Sequence, residues 1–184
     1  AEKEVFEIPA FMKSMLEKGW YGSKSGQGFF LKQGKEILEL NPTTLEYETR
    51  KKLKAPSLEI AKQQKGTANK LKALLYSKDR VGELLWNITS PTLIYSADLL
   101  GTIADDIVAI DNAMKWGFGW QQGPFEIWAA IGVEKSVAKM KEEGKEVPAW
   151  VVQMVADGIT SFYKEVDGDV YFYSNGEYKA LEQN

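Results

Sequence analysis

Carboxylates, lysines and hydroxyls are the side chains available for chemistry in this 184-residue chain, because it contains no histidine and no cysteine. The missing residue types exclude an imidazole base, a Ser-His or Cys-His nucleophile pair and the usual zinc ligands. They also exclude disulfides and thiolate catalysis, and they permit a cytosolic origin. The remaining candidates are acidic clusters, glycine-rich loops and isolated polar residues.

The tightest acidic cluster consists of Asp105, Asp106 and Asp111. Five positions separate Asp106 from Asp111, so on a helix the two carboxylates point to different faces, which is poor geometry for sharing a proton or a metal. We interpret the cluster as helix capping and as an acidic complement to the helix dipole, with Asp105 as the N-cap of a helix over 106–116. It predicts no catalytic residue and no metal ligand.

The stretch 116–128 (WGFGWQQGPFEIW) combines glycines with aromatic residues. A dinucleotide-binding GxGxxG follows a strand directly, whereas Gly117 and Gly119 follow a helical pattern, and the third glycine, Gly123, comes one residue late. The pattern predicts a helix that stops at Gly117 and a second helix that begins at Pro124. We expect the aromatic side chains to fasten one helix layer to another.

Two further loops are similar to ligand sites only in part. The stretch 22–28 (GSKSGQG) lacks the Gly-Lys-Ser/Thr order of a phosphate loop and precedes an aromatic strand instead of a helix. The triplet 167–169 (DGD) lacks the further ligands and the terminal glutamate of a calcium loop. We interpret the triplet as a hairpin turn.

Asn87 and a basic segment are the features that point to a ligand. Asn87 lies in LLWNITSP among apolar residues, where its amide needs either a structural partner or a ligand. Residues 50–80 carry ten bases and two acids, a net charge of +8 in a chain whose total is -3. Such a segment attracts nucleic acid or a phosphate-bearing small molecule, or it is a solvated helix face. No nucleic-acid motif accompanies it, so we expect no nucleic-acid partner.

Apolar periodicity and helix breakers predict a mainly α fold with short strand pairs. Pro91 is expected to kink or offset the longest helix, because it removes one backbone donor. No run approaches eighteen apolar residues, so we expect no membrane insertion. The predicted helices cover 5–18, 57–65, 68–77, 79–103, 106–116, 124–131, 133–143 and 148–157, and the predicted strand pairs are 29–32 with 37–40 and 162–165 with 170–174.

The sequence contains an internal repeat. Residues 8–19 (IPAFMKSMLEKG) and 147–158 (VPAWVVQMVADG) share an aliphatic residue, Pro-Ala, an aromatic residue, a Met and a Gly at a constant offset of 139. Residues 29–34 then match 171–176 at an offset of 142, as if three residues had been inserted. We interpret the pattern as two copies of one unit, of which the second is complete and the first is only a tail.

These residues together resemble the C-terminal helical domain of the 3-hydroxyacyl-CoA dehydrogenase family, in its multifunctional fatty-acid β-oxidation type with two helical repeats. One family signature is Ile-Asp-x-Ala-Met, a Gly-rich loop and then Gly-Pro-Phe; the other is a Gly-x-x-Gly-x-Lys-x-Gly-x-Gly-Phe-Tyr tail. The first is matched by Ile110, Asp111, Ala113, Met114, Gly117, Gly119, Gly123, Pro124 and Phe125, and the second by Gly19, Gly22, Lys24, Gly26, Gly28, Phe29 and Phe30.

The resemblance implies a helical-bundle domain of the 6-phosphogluconate-dehydrogenase-C-terminal-like type with small β-hairpins. It implies that the parent enzyme passes hydride from a 3-hydroxyacyl-CoA to NAD, with a His-Glu pair in an upstream nucleotide-binding domain. This chain itself is then expected to hold no catalytic residue, no cofactor and no metal. The family has an active-site Asn followed by Arg in the first repeat; Asn87 matches that Asn by position, with Ile88 in place of the Arg. We therefore assign Asn87 as the candidate substrate-binding residue for acyl-CoA.

The expected organisation is a first-repeat tail at 1–41, a basic connecting segment at 42–79 and a second repeat at 80–184, packed as one compact unit. The chain opens without Met, and we expect a cytoplasmic C-terminal fragment that is inactive alone and acts as an assembly and substrate-side scaffold. Its expected partners are the upstream nucleotide-binding domain, acyl-CoA and a second copy of itself. The alternative is a stand-alone, non-catalytic helical interaction module.

Overall fold

Helices dominate the structure. The computed structural model describes residues 7–181, and about half of the chain is helical. This is the mainly α class with small β-hairpins that the sequence predicts. The helices of the described residues are α1 (Ala10–Glu17), α2 (Pro56–Gln63), α3 (Thr67–Leu75), α4 (Arg80–Asp98), α5 (Ile107–Phe118), α6 (Pro124–Ile131), α7 (Val133–Glu142) and α8 (Ala149–Ala156).

Two small antiparallel sheets accompany the helices. Each has three strands in sequence order, so each is a meander without crossovers. Both predicted hairpins are present, and a third strand that was not predicted extends each of them. The strands are β1 (Phe30–Gln33), β2 (Glu36–Leu40) and β3 (Tyr47–Thr49) in the first sheet, and β4 (Tyr163–Val166), β5 (Asp169–Ser174) and β6 (Glu177–Ala180) in the second.

The chain forms two compact units, Ala1–Leu53 and Lys54–Asn184. The boundary falls inside the predicted connecting segment 42–79, because α2 and α3 pack within the second unit. The hydroxyl of Tyr76, just after α3, donates to the carbonyl of Ile131 at 3.1 Å. The division into a first-repeat tail at 1–41, a connecting segment at 42–79 and a second repeat at 80–184 stays a prediction.

In the first unit, α1 packs against its own sheet. Met15 is buried, and the ring of Phe11 meets the ring of Phe29 edge to face at 6.3 Å. The Tyr47 hydroxyl donates to the carbonyl of Gly28 at 2.7 Å and so ties β3 to the start of the sheet. The apolar side of α1 therefore has a covering within its own unit.

The core of the second unit is centred on Phe162. Its ring lies 5.1 Å from Phe125, 5.3 Å from Trp128 and 5.9 Å from Trp150, measured between ring centroids. The indole N–H of the buried Trp128 donates to the Ser136 hydroxyl at 2.6 Å, so its polar atom is satisfied. The fully buried side chains around this cluster include Leu93, Ile107, Ile131, Val133, Met140, Val151 and Met154.

Both ends of α5 differ from the sequence predictions. The carboxylate of Asp106 accepts from the backbone N–H of Ala109 at 2.8 Å, so the N-cap is Asp106 and not Asp105. The helix also continues through Gly117 to Phe118, and its C-cap is Gly119, whose backbone is left-handed with φ 68. The prediction that Gly117 stops the helix is wrong, because the second glycine, not the first, adopts the conformation that closes a helix.

The remaining helix bounds agree with the predictions to within a few residues. Pro91 lies inside α4, which continues past it but ends at Asp98, earlier than the predicted 103. α1 begins at Ala10, directly after Pro9. The predicted start at Val5 lies outside the described residues.

The module formed by α1 and the first sheet is repeated by α8 and the second sheet. The backbone N–H of Leu40 donates to the carbonyl of Phe29 at 2.9 Å, and that of Tyr173 donates to the carbonyl of Phe162 at 2.8 Å. The N-cap prolines of the two helices, Pro9 and Pro148, stand at the predicted offset of 139.

The strands of the two modules stand at a different offset from the one predicted. The pairing registers align 29–33 with 162–166, an offset of 133 instead of 142. The second copy is therefore six residues shorter between helix and sheet, where the sequence suggested an insertion of three. The predicted match joined β1 to the middle strand β5, which carries a similar aromatic pair.

Candidate functional site

Asp111, in the middle of α5, is a fully buried carboxylate. It accepts hydrogen bonds from the backbone N–H groups of Phe125 (2.8 Å) and Glu126 (3.1 Å) and from the hydroxyl of Tyr163 (2.7 Å). Phe125 and Glu126 are the second and third residues of α6, so Asp111 caps that helix and complements the positive end of its dipole. The capping interpretation of Asp111 is confirmed, although the capped helix is the next one along the chain.

Gly123 makes this close approach possible. A Cβ at this position would overlap both Cα and Cβ of Asp111, so only glycine fits without movement. The N–H of Gly123 donates to the Glu126 carboxylate at 2.8 Å, and that carboxylate pairs with Lys115 at 2.7 Å. The Asp of the signature, Asp111, and its Gly-Pro-Phe, residues 123–125, thus together hold the start of α6 against α5.

Burial raises the pKa of Asp111 to about 6, because the cost of removing the carboxylate from water exceeds the stabilisation from its hydrogen-bond donors. Burial also raises the pKa of Tyr163 well above its usual range, so its hydroxyl keeps the proton that it donates. A buried carboxylate with a raised pKa is a feature shared with catalytic acids and bases. Here three donors occupy its oxygens. Its chemistry is the positioning of a helix.

The aromatic residues of 116–128 divide between the core and the surface. Phe125 and Trp128 are fully buried, as a packing seam requires. Trp116 is 81% exposed, Phe118 76% and Trp120 37%. The prediction that the whole aromatic stretch fastens two helix layers is wrong for these three residues, because they lie at the end of α5 and just after it, beyond the part of the helix that the core covers.

Asn87 lies on α4 with an exposed side chain and lines a cavity of about 730 Å³. The cavity lies between the end of α3, the first half of α4 and one side of α7. Its wall includes Tyr76, Trp86, Lys135 and Lys139. The role of Asn87 in binding a ligand stays a prediction, and the cavity gives it the space that such a role needs.

A charge network closes one wall of this cavity. Glu143 accepts the indole N–H of Trp86 at 2.7 Å and pairs with Lys139 and Lys145. Burial opposes the ionisation of Glu143, but the three donors outweigh it and lower its pKa to about 2. Glu143 and its lysine partners largely neutralise one another. The wall of the cavity therefore offers a ligand mainly the rings of Tyr76 and Trp86 and the amide of Asn87.

The two other candidate loops are closed by local hydrogen bonds. In 22–28 the Ser25 hydroxyl accepts from the N–H of Tyr21 at 2.9 Å and donates to the carbonyl of Gly22 at 3.0 Å. Residues 167 and 168 form the two-residue turn between β4 and β5, as the hairpin interpretation predicts. Among the residues that the structure describes, no group of three acidic side chains could hold a metal ion.

The ten bases of 50–80 all have exposed side chains, which is the arrangement of a solvated face. Two of them pair with acids: Lys51 with Glu48 and Lys62 with Glu59. Between residues 7 and 181 we find no helix with the length and apolar character needed to cross a bilayer.

Sequence reasoning missed Asp79, which caps two helices at once. Its carboxylate accepts from the N–H of Gly82 at 2.9 Å, in the first turn of α4, and from the N–H of Ser57 at 2.8 Å, in the first turn of α2. These backbone hydrogen bonds lower the pKa of Asp79 to about 2. The position of Asp79 just before α4 indicates that it could cap α4 through Gly82. Its contact with Ser57 depends on the packing of α2 and is not visible in the sequence.

Residues 7–181 do not fit the nucleotide NAD. Both of their sheets are antiparallel. The Gly117-x-Gly119 pair closes a helix instead of joining a strand to a helix, so it offers no helix N-terminus to a pyrophosphate.

Fold and site define a class: a helical domain with small antiparallel sheets, in which a buried Asp and a Gly-Pro-Phe helix start clamp neighbouring helices. No protein-family profile matches the chain, and no solved structure matches it. A Bacillus subtilis (strain 168) protein named as a 3-hydroxyacyl-CoA dehydrogenase is 60% identical over 183 residues, which are 100% of this chain and 23% of that protein. The chain therefore corresponds to the C-terminal region of the 3-hydroxyacyl-CoA dehydrogenase family, as the resemblance predicts.

Two further relatives are named as trifunctional enzymes of a fatty acid oxidation complex. The Rickettsia felis protein is 32% identical over 131 residues, 69% of this chain and 17% of that protein. The Rickettsia prowazekii protein is 30% identical over 117 residues, 61% of this chain and 15% of that protein. The chain thus spans less than a quarter of the length of the curated relatives that it matches.

Proposed function

We propose that this chain is the C-terminal helical region of a larger fatty-acid β-oxidation enzyme, in which an upstream nucleotide-binding domain performs the NAD-dependent oxidation of a 3-hydroxyacyl-CoA. The observation that carries the proposal is the 60% identity over the whole chain to a much longer protein named for that activity. The chain contributes an assembly scaffold and one side of the acyl-CoA environment, and it works in the cytoplasm.

The side chains of this region support a scaffold role. Histidine, the usual acid or base near neutral pH, is absent from the chain. In the best candidate carboxylate, Asp111, both oxygens accept hydrogen bonds from Phe125, Glu126 and Tyr163. The contacts around Gly123 hold α6 against α5, which is a structural role. Hydride transfer is therefore assigned to the upstream part of the parent enzyme.

Reduction of acetoacetyl-CoA by NADH tests the proposal. The longer polypeptide should turn over at a rate typical of enzymes, about 10 per second, and the 184-residue chain alone should show no turnover. Oxidation of NADH by the isolated chain would contradict the scaffold role. An inactive longer polypeptide would contradict the proposed function and favour the stand-alone interaction module.

Asn87 and the basic segment are proposed to form the substrate side. We expect CoA to bind the chain more weakly as salt rises, because the attraction between exposed bases and phosphates is screened. Asn87→Ala should weaken binding about fivefold, the value of one ordinary hydrogen bond. Gln153→Ala, at an exposed amide on α8 outside the basic segment, is the control. Affinity that responds neither to salt nor to the Asn87 substitution would remove acyl-CoA as a partner of this region.

Self-association is proposed for the isolated chain, through the exposed aromatic residues after α5. Trp116 is 81% exposed and Phe118 76%, and exposed apolar surface is a feature of protein–protein contact sites. We expect concentration-dependent dimers in sedimentation velocity, and we expect the double substitution Trp116→Ser with Phe118→Ser to abolish them. Monomers at every concentration, or dimers that survive the double substitution, would contradict this.

A further inference from the structure

The cavity beside Asn87 lies entirely within the second unit. It has a volume of about 730 Å³ and is walled by the end of α3, the first half of α4 and one side of α7. Small-molecule sites commonly have this size, and they combine aromatic walls with a few polar groups that fix the orientation of the ligand. The cavity is therefore large enough for a ligand with the dimensions of a nucleoside.

The charges on the walls of this cavity are balanced. Lys139 and Glu143 pair directly at 2.7 Å. A cavity without net charge attracts a phosphate only weakly, so it favours the uncharged part of a ligand. The charged residues that line it are three lysines and three glutamates: Lys78, Lys135, Lys139, Glu83, Glu142 and Glu143.

Asn87 supplies the cavity with a hydrogen-bonding edge. Ser90 and Thr92, further along α4, return hydrogen bonds from their hydroxyls to the helix backbone at 2.8 and 3.0 Å. The exposed amide of Asn87 makes no such bond within residues 7–181, so both of its polar atoms are available to a ligand. An amide presents a donor beside an acceptor, and adenine presents the complementary pair at N6 and N7, whereas guanine presents two acceptors there.

Tyr76 supplies an aromatic face. Its hydroxyl donates to the carbonyl of Ile131 at 3.1 Å, so the residue offers the cavity its ring. Trp86 lies against this ring, with the centroids 5.8 Å apart. The ammonium of Lys135, which also lines the cavity, lies 4.1 Å from the ring centroid of Tyr76. None of the ion pairs within residues 7–181 involves Lys135, so its movement away from the ring breaks no salt bridge.

We propose that this cavity binds an adenine ring, with the Asn87 amide paired to the N6 and N7 atoms and the Tyr76 ring stacked on the face of the base. The base takes the place of Lys135, because stacking of a base on an aromatic side chain is stronger than an exposed cation–π contact. The ligand's phosphates stay outside the cavity. Adenine occurs in CoA and in free mononucleotides such as AMP, and only the first of these sources rests on the proposed function.

Titration of the 184-residue chain with adenosine tests the proposal. At the ordinary efficiency of a ligand of this size, the dissociation constant should be on the order of 0.1 mM, and it should change less than about twofold as salt is raised. Inosine, whose base has an oxygen in place of the N6 amino group, should bind about tenfold more weakly, because the amide then meets two acceptors. Equal affinity for the two nucleosides, or no binding of adenosine, would overturn the proposal.

Two substitutions at exposed positions should change the affinity for adenosine in opposite directions. Asn87→Ala should weaken it at least about fivefold, because the hydrogen bonds to the base are lost. Lys135→Ala should strengthen it about two- to fivefold, because the base no longer displaces a cation from the Tyr76 ring. Gln153→Ala, at an exposed amide on α8, is the control and should leave the affinity unchanged. A weaker affinity in Lys135→Ala would overturn the stacking on Tyr76.

Nuclear Overhauser contacts locate the base in the unsubstituted chain. The H2 or H8 proton of bound adenosine should show contacts with the ring protons of Tyr76, because stacked rings lie about 3.5–4 Å apart. Contacts with other aromatic side chains and none with Tyr76 would overturn the proposal.

Displacement of adenosine by AMP and by CoA identifies the source of the adenine. AMP should bind within about threefold of adenosine, because the balanced wall charges add little attraction for its phosphate. CoA that displaces adenosine at lower concentration than AMP does would assign the cavity to CoA. Binding of adenosine that CoA does not displace keeps this inference and rejects the CoA role proposed for this region. Binding of CoA without binding of adenosine rejects this inference alone.

Discussion

Position 123 requires glycine because Asp111 lies too close for a side chain, and not because the backbone has an unusual angle. A Cβ at 123 would overlap the backbone and the Cβ of Asp111, so one of the two helices would have to move. We expect Gly123→Ala to cost about 1–3 kcal/mol in the free energy of unfolding, the usual range for overpacking. Urea denaturation followed by circular dichroism measures this.

Gly117→Ala is the matched control for that substitution. Gly117 lies inside α5, is exposed and has open space around its Cβ position. Alanine there should stabilise the helix by about 0.5–1 kcal/mol. If the two substitutions changed stability in the same direction, the steric explanation of Gly123 would be wrong.

Asp111 predicts a pH dependence of stability. Its pKa is about 6 in the folded chain and 3.8 without the fold, so between these values the folded form holds a proton that the unfolded form has lost. The contribution is therefore complete below pH about 4 and declines as pH rises to about 6, by on the order of 2–3 kcal/mol. Thermal unfolding across this range measures the decline.

Asp111→Asn should remove this decline, although it lowers stability overall because an amide oxygen cannot serve three donors. Asp105→Asn, at an exposed carboxyl, should leave the decline in place. A slope between pH 4 and 6 that persists in Asp111→Asn would show that another group causes it.

Residue types alone predicted that Asp111 caps a helix, and they could not predict which one. An acidic residue near helix ends is a local signal, whereas the approach of α6 to α5 is a consequence of packing. The same limit explains Trp116 and Phe118: their size favours burial, but their position at the end of α5 places them outside the core.

Asp79 connects two helix starts, so its loss should affect both. We expect Asp79→Ala to speed hydrogen exchange at Gly82 and at Ser57, because both amides lose their acceptor. Asp106→Ala, which removes a cap from α5 alone, is the control and should affect only the first turn of that helix. Exchange at Ser57 that is unchanged in Asp79→Ala would exclude the shared cap.

The capping carboxylate of Asp79 also has a pH signature opposite to that of Asp111. Its folded pKa of about 2 lies below the ordinary value of 3.8. Its contribution is therefore complete above pH about 4 and declines as pH falls through 2. The decline between pH 4 and 6 is therefore assigned to Asp111, whereas Asp79 shares the acid limb with Glu143, whose pKa is also lowered to about 2.

The helices were predictable because their apolar spacing and breakers are local signals, and the third strands were not. β3 has three residues and follows a loop, so alternation has too few positions to appear. The offset of the repeat was misjudged for a related reason. β5 carries the aromatic pair Tyr171 and Phe172, which is similar in residue type to Phe29 and Phe30. That pair lies on the middle strand of its sheet, whereas the true counterpart of β1 is the first strand, β4.

The division into two units followed from packing that no local pattern reveals. The basic segment looked like a connection, since its ten basic side chains are all exposed. Its few apolar residues decide the matter: Leu75 and Ala61 are buried, and Leu75 belongs to the core of the second unit. The family resemblance, in contrast, rested on the joint spacing of many residues, which the whole-length match supports.

Matched phenylalanines measure how differently the two modules are covered in the isolated chain. Phe162 is fully buried among Phe125, Trp128 and Trp150, so Phe162→Ala should cost about 3–5 kcal/mol in the free energy of unfolding. Phe29 is half exposed, so Phe29→Ala should cost about 1 kcal/mol. Urea titration of both variants, with the slope of each transition compared with the parent chain, gives the two values. Similar costs would mean that Phe29 is as well covered as Phe162, and the large difference is expected because Phe162 is packed among three aromatic rings whereas Phe29 is half exposed.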